Sequence, residues 1–199
     1  MEKPDESFIR EDDRIKKMLD SEDTDQQEIA LMTLLHEGRK TDYIDQLTKY
    51  SRSSHDKVRL AAFFVLCKIN KKSLIPYLEK GLTDKLAKIR MESAISLSKY
   101  KNEKAVPILK GIIKRDIRDH SLHKRAIEAL GRYKNKDFIT IFEQMLQHRR
   151  KVSRIKASQA IAKIPTENAY RILVNAELKE KDPAVKSQIG IALRNYSTF

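Results

Sequence analysis

The 199-residue chain offers few groups for covalent chemistry. Its single cysteine, Cys67, excludes an internal disulfide and any multi-cysteine metal site. It lies inside VRLAAFFVLCKI (58–69) with no histidine at a helical neighbour position, so nothing there would generate a thiolate. DIRDHSLH (116–123) brings Asp116, Asp119, His120 and His123 together in sequence. Two histidines three apart on one helix face can share a metal, but His120 is expected in a turn. There is no HExxH and no glycine-rich phosphate loop. The expectation is a non-enzymatic protein with no metal and no cofactor.

The remaining chemistry is electrostatic. HRRKVSRIK (148–156) supplies Arg149, Arg150, Lys151 and Arg154, and KGIIKRDIR (110–118) supplies Lys110, Lys114, Arg115 and Arg118. Lys114, Arg115, Arg149, Arg150 and Lys151 are the candidate anion-binding edge, suited to phosphate or carboxylate. Neither run has interleaved aromatics, so base stacking has little support. The net charge is +13. Residues 1–25 hold ten acidic and five basic residues, so the other 174 carry +18. A body this basic attracts anions, whether nucleic acid, an acidic protein or a phosphate-bearing membrane surface.

MEKPDESFIREDDR at the N-terminus is too charged for a secretory signal. No apolar run approaches the roughly 18 residues of a membrane span. A reducing, cytoplasmic location is expected.

The elements that position these groups repeat. QQEIALMTLLHE (from Gln26), VRLAAFFVLCKI (Val58), IRMESAISLSKY (Ile89), LHKRAIEALGRY (Leu122), SRIKASQAIAKI (Ser153) and VKSQIGIALRNY (Val185) follow one another at 31 to 33 residues. A fixed period of this size marks a stacked repeat architecture. Numbering the motif 1 to 12, place 9 is Leu34, Leu66, Leu97, Leu130, Ile161 and Leu193. Place 5 is Ala30, Ala62, Ser93, Ala126, Ala157 and Ile189, mostly small. Places 1, 5, 8, 9 and 12 share one side of a helix. A second apolar stretch precedes each motif, as in SLIPYLEKGLTD (73–84) and AVPILKGIIKRD (105–116), with Pro76 and Pro107 in their first turns. Each period is therefore a helical hairpin that buries its faces only by stacking. The expected fold is an all-α solenoid of about six hairpins in one domain, with boundaries near 6–38, 39–70, 71–101, 102–134, 135–165 and 166–198.

HDKVRLAAFFVLCKI (55–69), DKLAKIRMESAISLSKY (84–100) and KDPAVKSQIGIALRNY (181–196) resemble HEAT repeats. The shared pattern is Asp, a short gap, Val or Ile with Arg or Lys, then small and Leu residues at helical spacing. The short period looks most like the subgroup found in bilin-lyase subunits, although no bilin-handling residues can be identified. Deoxyhypusine hydroxylases are similar in design but hold iron with several His-Glu pairs, and this chain has one, His36-Glu37. HEAT-like alkylpurine DNA glycosylases use a basic concave face with aromatics and a catalytic Asp. Here there is no Trp, and no Asp stands at places 4, 7 or 11.

The resemblance implies that the second helix of each pair lines the concave side. At place 2, Arg59, Arg90, His123, Arg154 and Lys186 are expected to form a structural ladder, each cation pairing an acid of an inter-helix loop. Places 4, 7 and 11 project within about 60° of one another and form the open arc. That arc begins apolar, with Met32, Phe64 and Ile95, and becomes basic, with Lys68, Lys99, Arg125, Arg132, Lys156 and Lys163. These nine are the candidate partner-binding residues. The expected partner is an acidic, partly apolar protein segment. The alternative is a DNA or RNA backbone held by the basic column and the 148–156 edge.

Overall fold

In the computed structural model each period contains two α-helices. Residues 6–36, 40–115 and 120–196 are described. The pairs are α1 (Glu6–Leu19) with α2 (Thr24–His36), α3 (Ile44–Tyr50) with α4 (Asp56–Leu66), and α5 (Ile75–Gly81) with α6 (Ala87–Leu97). They continue as α7 (Val106–Lys114) with α8 (His120–Leu130), α9 (Ile139–Leu146) with α10 (Lys151–Ile161), and α11 (Glu167–Lys179) with α12 (Pro183–Leu193). The described residues form an all-α solenoid of six helical hairpins. Pro76 and Pro107 stand in the first turns of α5 and α7, where a missing N–H costs little. Asp182 caps α12 by accepting from the N–H groups of Ala184 and Val185.

The chain divides into two compact units, Met1–Ser96 and Leu97–Phe199. In the first, α1 packs on α2 and buries Ile15 and Leu19. The Tyr50 hydroxyl donates to the Leu19 carbonyl, and the Tyr43 hydroxyl to Asp12. The described part of the acidic N-terminal segment is thus the first helix of the array. Ala30, Ala62 and Ser93 at place 5, and Leu34 and Leu66 at place 9, are fully buried. In the second unit Ala126 and Ala157, with Leu97, Leu130 and Ile161, continue both columns at 0% exposure.

Place 12 does more than fill space. The Tyr133 hydroxyl donates to the Asn102 carbonyl at 2.6 Å, and the Tyr196 hydroxyl to the carbonyls of Ile161 and Ile164 at 2.7 Å. Each phenol ties its turn to the end of the preceding second helix or the residues just after it. Burial pushes both tyrosines up to about 12.

Gly81 ends α5 against α6. A Cβ there would lie 2.2 Å from Ser93 Oγ and 2.5 Å from the Phe63 ring. Ser93 is itself fully buried, and its hydroxyl has no hydrogen-bond partner. Ser93→Ala is therefore expected to stabilise the first unit by about 1 kcal/mol, since it deletes an unsatisfied polar group. Gly81→Ala is expected to destabilise it by about 1–3 kcal/mol through overpacking. Thermal melts of the two single variants and the double check both signs, and in the double the loss should be partly recovered because Oγ is gone.

Candidate anion-binding surface

The arginines at place 2 are tied into the inter-helix turns. Arg59 is 7% exposed, with Nε 2.8 Å from Asp84 Oδ2 and Nη2 2.9 Å from Asp56 Oδ1. Its Nη1 donates to the Ser53 carbonyl at 2.7 Å. Arg90 donates to the carbonyls of Asp84 and Lys85. Arg154 makes a two-point contact with Glu180, at 2.7 and 3.1 Å, and donates to the His148 carbonyl. Arg59 and Arg154 each stitch their inter-helix turn to an acid of the next one, Arg90 ties down the carbonyls of its own turn, and Lys186 departs from the ladder by being exposed.

His123 occupies the same place at 0% exposure. Its Nε2 lies 3.1 Å from the Ile113 carbonyl and its Nδ1 3.2 Å from Ser153 Oγ. The carbonyl only accepts, so Nε2 carries the proton of the neutral ring and Nδ1 accepts from the serine. With both nitrogens committed, His123 is no metal ligand. Asp116 and Asp119 lie outside the described residues. Among the described residues no group of three or more His, Cys, Asp or Glu is placed to hold a metal ion.

That imidazole also gathers the candidate edge. Ile113 immediately precedes Lys114 and Arg115, and Ser153 follows Arg150 and Lys151 by two or three residues. Lys114, Arg115 and Arg149 are exposed and Arg150 half-buried. Lys151 is ion-paired with Asp182, which reduces its availability. A cavity of about 490 Å³ opens here, lined by His120, Lys124, Arg150, Lys151 and Val152 among others.

The charge is concentrated in one unit. Residues 97–199 contain 23 Lys and Arg against 10 Asp and Glu, a net of +13 equal to that of the whole chain. The first unit balances at 18 of each. Of the predicted basic column, Lys99, Arg132 and Lys163 lie in this second unit at or just after the ends of second helices. Lys99 and Lys163 are exposed, and Arg132 is half-buried with Nη1 2.7 Å from Ser98 Oγ. That bond orients the guanidinium without cancelling its charge. Arg125 is half-buried on α8. Lys156 differs from the expectation of an open cation: it pairs with Glu128 at 2.7 Å and contacts Gln159 at 3.1 Å. Lys68, in the first unit, is exposed.

The apolar arc changes more. Met32 is half-buried, and Phe64 is half-buried with Lys88 Nζ 5.1 Å from its ring centroid. Ile95 is only 6% exposed and belongs to the core, because residues 93–98 are buried without interruption and leave place 7 of α6 no open side. Ile29 is 55% exposed, so the uncovered apolar residue nearest Met32 in sequence is at place 4.

Two carboxyls report on this architecture. Hydrogen bonds from Arg154 hold Glu180 below its ordinary value, and Lys151 does the same for Asp182. A carboxyl depressed in the folded state stabilises above its unfolded value and loses that contribution as pH falls through the folded one. The melting temperature is expected to be flat above about pH 5 and to drop below about pH 4. Arg154→Met should shallow the acid limb, as read by melts across pH.

The family model for HEAT repeats matches residues 44–123. Solved structures extend the likeness of fold along the chain. A designed armadillo repeat protein in complex with peptide (KR)4 superposes with TM-score 0.64 at 16% identity, covering 92% of this chain and 98% of that one. The complex of CpcE and CpcF of phycocyanin lyase from Nostoc sp. PCC7120 gives 0.60 at 20% identity, covering 91% and 74%. An engineered protein gives 0.61 at 19%, covering 92% and 95%. No curated protein matches the chain.

Sequence reasoning missed Lys88, which sits over Phe64, and Lys101 and Lys134, which follow the second helices of consecutive repeats. Lys88 carried no motif signal, since it acts across two repeats. The other two were signalled by the triplet Tyr-Lys-Asn, present at 100–102 and again at 133–135.

Proposed function

We propose that this chain is a non-enzymatic adaptor whose second unit binds an acidic segment of another protein. A HEAT and armadillo-like repeat scaffold fits a protein-binding adaptor in general. The observation that carries the acidic partner is charge: the entire net +13 falls in residues 97–199, with Lys99, Arg132 and Lys163 recurring once per repeat. The designed relative that binds (KR)4 takes a basic peptide, and a basic array suits the opposite sign. Met32 and Phe64, both half-buried, are by themselves the first unit's candidate contact for an apolar side chain of a partner.

The test is fluorescence anisotropy of a labelled acidic peptide. Binding to wild type and weakening by Lys163→Glu supports the reading. Equal affinity for both proteins contradicts it. Phe64→Ala should weaken the first unit's hold on an apolar side chain by about 1 kcal/mol.

The second reading is nucleic-acid binding, favoured by the edge of Lys114, Arg115, Arg149 and Arg150. Its signature is a slope of log affinity against log salt of about −0.9 per phosphate neutralised.

A further inference from the structure

Among the described residues two that are not glycine stand in the left-handed region, Lys101 at φ 53° and Lys134 at φ 54°. Each follows the 3₁₀ turn that closes a second helix, Ser98–Tyr100 and Gly131–Tyr133. Each precedes an asparagine that caps the next turn: Asn102 Oδ1 accepts from the Lys104 N–H at 3.0 Å, and Asn135 Oδ1 from the Asp137 N–H at 2.9 Å. The backbone there calls for glycine, because a Cβ crowds the carbonyl in this conformation. Both lysine side chains are exposed, so no burial offsets that cost. A cost repeated at the same place in consecutive repeats points to the charge as the reason.

The two turns stack directly. Tyr133 donates to the Asn102 carbonyl at 2.6 Å, and Arg132 to Ser98 Oγ at 2.7 Å. Lys99, Lys101 and Lys104 thus form one tier, with Arg132, Lys134 and Lys136 on the next. Gly131 lets its turn close on Ala160, where a Cβ would meet that residue at 2.9 Å, and this sets the turn of Lys163 alongside as a third tier. Tyr133 and Phe138 are buried, and Lys110 Nζ lies 4.6 Å from the Phe138 ring centroid, so neither ring is offered to a nucleobase. Packed helices stand about 8–10 Å apart. An extended peptide advances about 3.3 Å per residue, so one tier corresponds to three residues.

We propose that the ledge of Lys99, Lys101, Arg132, Lys134 and Lys163 binds an extended acidic peptide whose carboxylates recur at every third residue, one to each repeat. The proposal rests on the reading of the second unit as a binder of acidic protein segments and specifies the segment.

Lys101→Gly with Lys134→Gly removes the two charges while relieving the backbone, so a loss of binding cannot be a loss of fold. Two labelled peptides of about twelve residues and equal glutamate content serve as probes, one with Glu at every third position and one with the glutamates in a block. At about 0.15 M salt the spaced peptide should bind wild type roughly tenfold tighter than the blocked one. The double glycine variant should lose about tenfold for the spaced peptide with an unchanged or higher melting temperature. Equal binding of both peptides, or unaltered affinity of the glycine variant, overturns the ledge. If Lys163→Glu weakens the peptides and the glycine variant does not, the ledge fails while the acidic-partner reading stands. If wild type binds neither peptide, both fail. Duplex DNA binding tighter than the spaced peptide overturns the ledge in favour of a phosphate backbone.

Discussion

Arg59→Ala is expected to destabilise the first unit by about 3–5 kcal/mol, the range for breaking a buried ion pair from one side. The side chain of Arg59 is 9% exposed and that of Asp84 11%. Removing the guanidinium strands the Asp84 carboxylate among groups that no longer neutralise it, and leaves the Ser53 carbonyl without its donor. Asp84 also accepts from the Leu86 N–H at 2.8 Å, so its position anchors the start of α6. Asp84→Asn should therefore be damaging from the other side. A fall in melting temperature of about 10 °C or more is expected for Arg59→Ala. Replacing both partners by apolar residues of similar volume should cost much less than either single change. Lys68→Ala, at an exposed site, should stay within about 0.5 kcal/mol. An Arg59→Ala melt indistinguishable from wild type would show that the place-2 contact is not structural.

Arg132→Glu combined with Lys163→Glu is expected to weaken binding of an acidic peptide by about 100-fold, or about 2.7 kcal/mol. Each reversal replaces an attraction with a repulsion, so the pair changes four charge contacts' worth of interaction. The neutral variants Arg132→Gln and Lys163→Gln should lose only about three- to tenfold each, and all losses should shrink as salt shortens the screening length. Lys163 is exposed, so its substitution leaves packing intact. Arg132 gives up its bond to Ser98 Oγ, and a melt separates that effect from the loss of binding. Anisotropy titrations at two salt concentrations provide the check.

The fold was legible because a period leaves its mark at every turn. The columns of place 5 and place 9 are read directly from Ala30, Ala62 and Ala126, and from Leu34, Leu66 and Leu130, and both are fully buried. The division of place 2 from place 11 was legible in kind, since an Arg near an inter-helix Asp is a structural pair at Arg59 and Asp84. Exposure was less legible. Ile95 shares its motif place with Phe64, yet only Phe64 keeps an open side, because burial depends on neighbouring repeats and not on the helix alone. Neutralisation was hidden for the same reason. Lys156 meets Glu128 from the preceding repeat, a contact that no spacing within one motif encodes. Lys101 and Lys134 were overlooked because a lysine in a polar junction looks ordinary until its φ is known.

The central claim, that the basic second unit is matched to an acidic protein segment, is tested most directly by competition. A labelled acidic peptide bound to the full chain at physiological salt is titrated with unlabelled peptide and, separately, with duplex DNA at equal charge concentration. The account predicts displacement by the peptide at lower concentration than by the duplex. Displacement first by the duplex, with a slope approaching −0.9 per phosphate contacted, would contradict it.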